Sequence, residues 1–553
     1  MKTNPIKIFL ILFIVFSAQL HAQIDSLSMQ KIDSLFLVWN VPNHPGGAVG
    51  VMKDGKIVFS KAYGLSSLEY LVPNSAGTIF NTGSVSKQFT AMGIVRLEEQ
   101  GKLHFDDDIH KYIPTLPVFK EKITIRHLLH HTSGLRSLHA LFALAGWRGD
   151  DSRTNADLNR IIIKQKDLNF KPGTEFLYCN TGYMLMVNII ENITGEKFKD
   201  WMKHNIFTPL NMPHTYVEDD YSRVVPDNAT SYYGYNTFNR AVEFWGYVGS
   251  GNMHSTTADL LTWLANFSNP QEGWKTSFEK LQTKDKLTDG TDNDYAFGVN
   301  VDEHLGKKRI QHGGAIGGFR AYIVSYPNEE LNIVVLTNFS GGNPVNTANH
   351  IAGIILGKSN TKTPNINDIA SIKLSNEELN KFEGTYWNDK DKYGRKIYLK
   401  NDTLRYSRGE DNESPLISIK NNTFKMLNTD VDVFVLFEFK KEKKQMLVDV
   451  KGQSMAVFHA IKNTAIAKNE LTQYTGSYYS PELETTYSIS VKGDTLSMYH
   501  PRHGNIAVKR EFPDILSGDW PVNTVEIKRN TKNKVIGILI SNGRVRNAWF
   551  EKQ

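Results

Sequence analysis

The C-terminal third of the chain repeats itself. Leu379, Phe382, Gly384, Tyr386, Ile397, Asp402 and Leu404 recur as Leu471, Tyr474, Gly476, Tyr478, Ile489, Asp494 and Leu496, each pair 92 residues apart, and the offset still matches Phe458 with Phe550 near the two ends. A unit of this length is too long for a solenoid repeat, and its alternating stretches, such as Lys396 to Lys400 and Tyr487 to Val491, have the period of β-strands. A small antiparallel barrel closes its own edges and so suits such a unit. The repeat therefore predicts two tandem antiparallel β-barrels, over 376–466 and 467–553.

At ~100–200 residues per domain the 553 residues predict about three domains, two of them accounted for by these units. The polar stretch Gly357 to Asp368 marks the seam, giving a first domain over 23–360 and a linker over 361–375. Within the first domain, Ile24 to Asn40 has helical spacing. Ala48 to Met52 and Lys56 to Tyr63 read as strands joined at Asp54-Gly55, a hairpin dipeptide. The pattern is largely helical from about 84 to 270, and strands return at Arg309 to Gln311, Phe319 to Tyr326 and Leu331 to Thr337. Strands from both ends and helices between them predict an α+β domain in three layers.

Residues 1–22 read as a secretory signal: Lys2 and Lys7 precede an apolar run, Ile8 to Phe16, and Ala22 fits a cleavage site. The run is too short for a bilayer span, which needs about 20 residues. A soluble periplasmic or secreted product without an integral membrane span is expected. The formal charge of +6 includes Lys2 and Lys7, and no basic block accompanies it, which argues against nucleic acid and acidic membrane partners. A small molecule or short peptide is the expected substrate; the oligomeric state is not legible.

Chemistry is concentrated in a few short motifs. Asn81 to Thr90 opens a helix in which Ser84 and Lys87, three residues apart, share a face. The lysine nitrogen then lies beside the serine oxygen, and a desolvated position near the positive helix end favours a lysine able to accept a proton, which would activate the nucleophile. Downstream lie Tyr178-Cys179-Asn180, in a stretch expected to be a loop, and His312-Gly313-Gly314 after a strand. Cys179, between two motif residues, reads as a packing residue. His127 and His131 are four apart, but no third ligand or glutamate base accompanies them, so they read as structural and no metal is expected. No phosphate loop or dinucleotide fingerprint is present, and no cofactor is expected.

With Ser-x-x-Lys, Tyr-x-Asn and His-Gly-Gly in that order, residues 40 to 355 resemble the serine β-lactamase and penicillin-binding protein superfamily, in particular its class C branch, which includes esterases and D-stereospecific peptidases. Arg126 to Leu135 and Gly249 to Thr256 are also typical of that branch. The resemblance implies a β-lactamase-like antiparallel sheet with a helical region. It implies Ser84 as acylated nucleophile, Lys87 as proton acceptor and Tyr178 as the group that passes the proton to the leaving group. It further implies that Asn180 holds Lys87 and the substrate amide, and that the Ser84 and Ala315 N–H groups form an oxyanion hole. Lys87 is the expected cation beside Tyr178.

The third motif departs from the usual Lys-Thr-Gly: His312 replaces the lysine and Gly313 the hydroxyl. A mostly neutral histidine does not repel a substrate amine, so D-aminopeptidase-like or esterase chemistry is favoured over β-lactam recognition. Arg320 is a candidate to restore the missing charge. The architecture resembles the bacterial D-aminopeptidases, in which eight-stranded, lipocalin-like barrels flank the catalytic domain and one sends a loop toward the active site. The alternatives are a β-lactamase, a DD-carboxypeptidase, a carboxylesterase or, from another class, a non-catalytic binder of cell-envelope peptides.

Overall fold

Asp54 and Gly55 both adopt positive φ (51° and 72°) and turn strand β1 (Gly47–Lys53) back along β2 (Lys56–Tyr63). In the computed structural model, which describes residues 25–234, 237–357, 371–409, 412–427, 433–440, 443–450, 455–461 and 471–553, this hairpin is one edge of a six-stranded antiparallel sheet. The others are β3 (Asn300–His304), β4 (Lys307–Ile316), β5 (Phe319–Tyr326) and β6 (Leu331–Thr337), in the order β3-β4-β5-β6-β1-β2. The expected signal segment, most of the expected linker, and the expected seam between the barrels lie outside the described residues.

The central strands are buried on both faces. All of β6 is buried, as is β1 from Gly47 to Met52, which explains their continuous apolar runs. At about 1.5–3 kcal/mol per buried aliphatic side chain, such strands demand a helical layer on each side. On one face Ile32 of α1 (Ser26–Ser34), Phe36 just beyond it and Ile351 of α6 (Pro344–Ile355) pack on Val49, Val51, Ile333 and Val335. On the other, α2 (Ser86–Glu99), α4 (Asn180–Thr194) and α5 (Thr257–Ala265) share a core with Ala48, Ile323, Val334 and Leu336, while the short α3 (Ile125–Leu129) packs on α4. The helix expected over 24–40 ends at Ser34. Phe36 leaves it to stack on Tyr63 with 4.8 Å between ring centroids, and a short 3₁₀ turn, Leu37–Trp39, follows.

Two closed eight-stranded antiparallel barrels follow, running from Gly384–Asn388 to Ala456–Ile461 and from Gly476–Ser480 to Ala548–Lys552. The duplication is visible in detail. Tyr386 donates its hydroxyl to the Phe382 carbonyl and Tyr478 to that of Tyr474, both at 2.6 Å. The glycines two residues before these tyrosines share a positive φ, 151° at Gly384 and 140° at Gly476, that side-chain-bearing residues avoid.

The copies differ in attachment. The first has its own core, whereas the second is continuous with the core of the domain that precedes them. Buried Arg136 pairs with Glu482 at 2.7 Å, the Tyr487 hydroxyl donates to the Leu144 carbonyl at 3.1 Å, and His503 Nε2 donates to the Ala143 carbonyl at 2.8 Å. Among the described residues no helix is long and apolar enough to cross a membrane.

Candidate active site

Ser84 lies in the 3₁₀ turn Gly83–Val85 that feeds α2, one turn earlier than the regular helix. The turn is fixed from below. Gly83 N donates to Asn81 Oδ1 (3.0 Å), Ser86 Oγ to the Gly83 carbonyl (2.6 Å), and Met253 N to Ser86 Oγ (3.0 Å). Lys87, on the first turn of α2, is fully buried. Its Nζ donates to the Ser250 carbonyl at 2.7 Å and lies 3.2 Å from Ser84 Oγ. Burial, reinforced by the positive charge of Arg544, holds this amine well below the ordinary lysine range. A neutral amine keeps a lone pair, and the serine hydroxyl, unlike the Ser250 carbonyl, has a proton to give it.

Opposite the turn is the free end of β4. Its partner β3 pairs only as far as Gln311, so residues 312–316 present a strand edge to Ser84. The two segments touch backbone to backbone. A Cβ on Gly314 would fall 2.0 Å from the Thr82 carbonyl oxygen, and one on Gly83, at φ 53°, would fall 2.8 Å from Ala315 N. Only glycine permits this approach, which brings the Ser84 and Ala315 amides to facing segments. His312, expected just after a strand, is within β4. Its Nδ1–H donates to the Gly313 carbonyl (2.6 Å), leaving Nε2 to accept from the Tyr295 hydroxyl (3.0 Å), roles that together require a neutral ring. Burial and then Lys87 push its pKa down to about 3.

Tyr178 precedes α4, with Cys179 at the N-cap and Asn180 already the first helical residue. His131, at φ 59°, orders this corner: its carbonyl accepts from Leu177 N (3.0 Å), its Nδ1 accepts from Cys179 N (3.1 Å), and its ring lies 4.2 Å from that of Tyr178. The buried Tyr178 hydroxyl has no hydrogen-bond partner among the described residues. Burial raises its pKa, while Ser84, Arg544 and Tyr295 pull the other way. Lys87, the cation expected to tune it, lies 4.8 Å from the ring centroid, where burial disfavours its charged form; Arg544, at 5.1 Å, is the charge that favours the phenolate. Asn180, expected to hold Lys87, leaves Oδ1 buried and unpartnered, the Ser250 carbonyl taking that role. The Cys179 thiol is buried and donates to the Leu135 carbonyl at 3.3 Å. His127 closes a capping box with Thr124, and His130 Nδ1 donates to the Tyr295 carbonyl at 2.8 Å.

These residues open on a cavity of about 680 Å³ lined by Ser84, Tyr178, Asn180, Tyr295, residues 312–316 and Arg320. Arg320 is tied back to the fold by Nη1, which donates to the Gly317 (3.0 Å) and Phe319 (2.7 Å) carbonyls. Beside it Glu243 accepts from the Gly318 amide, and burial pushes its pKa up to about 7. Several lining residues lie outside the motifs, among them Tyr295 and Arg544. Arg544 follows Asn542-Gly543, a signal for a turn and nothing more, in the loop between the last two strands of the second barrel.

The Beta-lactamase family model matches residues 40–357. A D-aminopeptidase from Gluconobacter oxydans (strain 621H) is 26% identical over 342 residues, 62% of this chain and 62% of that relative, so less than two thirds of its length is covered. Penicillin-binding protein 4* of Bacillus subtilis (strain 168) is 29% identical over 327 residues, 56% of this chain and 71% of that one. Among solved structures, the octameric penicillin-binding protein homologue from Pyrococcus abyssi superposes with a TM-score of 0.56 at 25% identity, covering 78% of this chain and 99% of that one. With the family match spanning more than half its length, the chain belongs to the Beta-lactamase family, the serine hydrolases related to penicillin-binding proteins.

Proposed function

We infer that the protein is an exported hydrolase that cleaves a small amide or ester through an acyl-enzyme on Ser84. The observation that carries this reading is the fully buried Lys87 amine 3.2 Å from Ser84 Oγ, on a turn that faces the backbone amides of β4. Burial moves the two titratable neighbours of Ser84 in opposite senses, Lys87 toward the free amine and Tyr178 toward the intact phenol. A pair pushed apart in this way assigns base and acid. Lys87 takes the proton as Ser84 Oγ bonds to the substrate carbonyl carbon. The Ser84 and Ala315 N–H groups receive the oxyanion, and the Tyr178 hydroxyl gives its proton to the departing amine or alkoxide as the bond to it breaks. The Lys87 ammonium then reprotonates Tyr178, and water releases the acyl group by the reverse sequence. Export is supported by Lys2, Lys7 and the apolar run from Ile8 to Phe16.

Within this class, the D-aminopeptidase-like reading is supported by the similarity to D-aminopeptidases and by the neutral His312. The cavity lining, however, holds no aspartate or glutamate among the described residues to receive a substrate ammonium, which favours esterase or amidase chemistry without a free amine. The carboxypeptidase reading gains support from two lining arginines, Arg320 and Arg544. Hydrolysis of p-nitrophenyl acetate tests the reading: wild type turns it over and Ser84→Ala loses turnover with an unchanged circular dichroism spectrum. Wild-type rates in Ser84→Ala would overturn the nucleophile assignment.

A further inference from the structure

We propose that Arg544 is the specificity determinant of the Ser84 site, and that the second barrel delivers it there to select substrates carrying a carboxylate beside the scissile amide or ester. The inference rests on the acyl-enzyme reading above and adds to it the charge of the substrate.

The loop at residues 542–547 is fastened along its length to the catalytic domain. Asn542 Nδ2 donates to the Ala140 carbonyl (3.2 Å), and Ser137 N and Asn169 Nδ2 both donate to the Arg544 carbonyl at 3.1 Å. Arg136 Nη2 donates to the carbonyls of Arg546 and Asn547, both at 3.1 Å, while its Nη1 pairs with Glu482. The backbone at 544 is thereby held against the segment that follows His131, the residue that seats Tyr178.

The arginines of this interface have different fates. Arg136 is neutralised by Glu482, and Arg546 by Glu175 (3.2 Å) and Asp391 (2.7 Å). Arg544 alone of the three has no carboxylate partner among the described residues; its guanidinium lies 5.1 Å from the centroid of the Tyr178 ring, inside the cavity that holds Ser84. Its charge reaches the reacting groups, opposing protonation of Lys87 and favouring the Tyr178 phenolate. The second lining arginine, Arg320, is bound to two backbone carbonyls and faces Glu243. A cavity with an uncompensated guanidinium and no acidic lining residue attracts an anion and repels an ammonium, and a carboxylate matches the guanidinium fork.

The test compares kcat/KM for four substrates in the full-length protein. These are p-nitrophenyl acetate (neutral), mono-p-nitrophenyl glutarate (carboxylate on the acyl side), p-acetoxybenzoate (carboxylate on the leaving side) and D-alanine p-nitroanilide (free amine). Wild type is expected to prefer one of the carboxylate esters to the acetate. Arg544→Gln should lower that ratio about 10- to 100-fold, the worth of one charge-assisted hydrogen bond. Arg544→Lys should retain most of it, and Arg544→Glu should reverse it toward the anilide. Whichever carboxylate ester carries the change identifies the side the arginine reads. A ratio that stays constant in Arg544→Gln, or equal losses on all substrates, would overturn the proposal, because a residue that merely supports the loop moves every substrate alike. Failure of the underlying reading is separable: it would appear as wild-type protein that forms no fluorophosphonate adduct at Ser84.

Discussion

Lys87 has a nitrogen 3.2 Å from the serine, no exposure to solvent, and a pKa driven down by burial. Two consequences can be measured. Activity on a neutral ester should rise with pH as Lys87 deprotonates and reach its plateau well below the ordinary lysine range; a limb with its midpoint near ~10 would mean the amine keeps the ordinary lysine value. Lys87→Met should cost about 100- to 10,000-fold in kcat, the usual worth of a general base, while leaving the melting temperature equal or higher, because a desolvated amine gives way to an apolar chain of similar length. Loss of folding in this variant would indicate a structural lysine. The Ser84–Lys87 juxtaposition was legible because residues three apart on a helix share a face. That burial would disfavour the charge on Lys87, and that Arg544 would be the cation acting on Tyr178, was not legible, since both depend on contacts between distant parts of the chain.

At the scale of elements, the site depends on a strand edge meeting a turn. β4 outruns β3 at Gln311, and Gly83 and Gly314 let its edge come within contact of the Ser84 turn. Gly314→Ala places a Cβ where the Thr82 carbonyl already is, so the strand must retreat. The expected result is a loss of about 100-fold or more in kcat, comparable to removal of an oxyanion donor, with KM less affected. Wild-type kcat in this variant would show that the close approach has no catalytic role. The motif His312-Gly313-Gly314 and the segment Asn81 to Thr90 drew attention to Gly314 and Gly83, but the early end of β3 is a matter of strand register, which leaves no local sign. The same limit explains Cys179 and Asn180: the sequence around them reads as a loop, and tertiary support from His131 and Ser137 begins α4 two residues after Tyr178.

At the scale of the molecule, the repeat made both barrels legible, but not their unequal docking. That asymmetry follows from a few residues outside the repeat's matched positions, chief among them the pair Arg136–Glu482, which is almost wholly buried. Arg136→Ala leaves Glu482 without its partner and frees the loop that carries Arg544. A loss of about 3–5 kcal/mol is expected in denaturant unfolding, together with lost activity; a stability equal to wild type would contradict a docked second barrel. Acid should also weaken the fold. Burial holds His131, His254 and His312 neutral, with pKa values below the unfolded ~6.5, so the unfolded state binds more protons as the pH falls. Each contributes stability that is complete above pH ~6.5 and is lost toward the folded pKa, at about 1.4 kcal/mol per pH unit while the window lasts. Unfolding midpoints at pH 7.5, 6 and 5 should therefore decline, and a flat series would contradict the neutral assignments.

The most direct measurement of the central claim is the intact mass of the full-length protein after treatment with a fluorophosphonate, followed by peptide mapping. Wild type should carry a single adduct on the peptide bearing Ser84, Ser84→Ala none, and Lys87→Met should label far more slowly. Wild-type protein that stays unmodified, or an adduct that persists in Ser84→Ala, would contradict the claim.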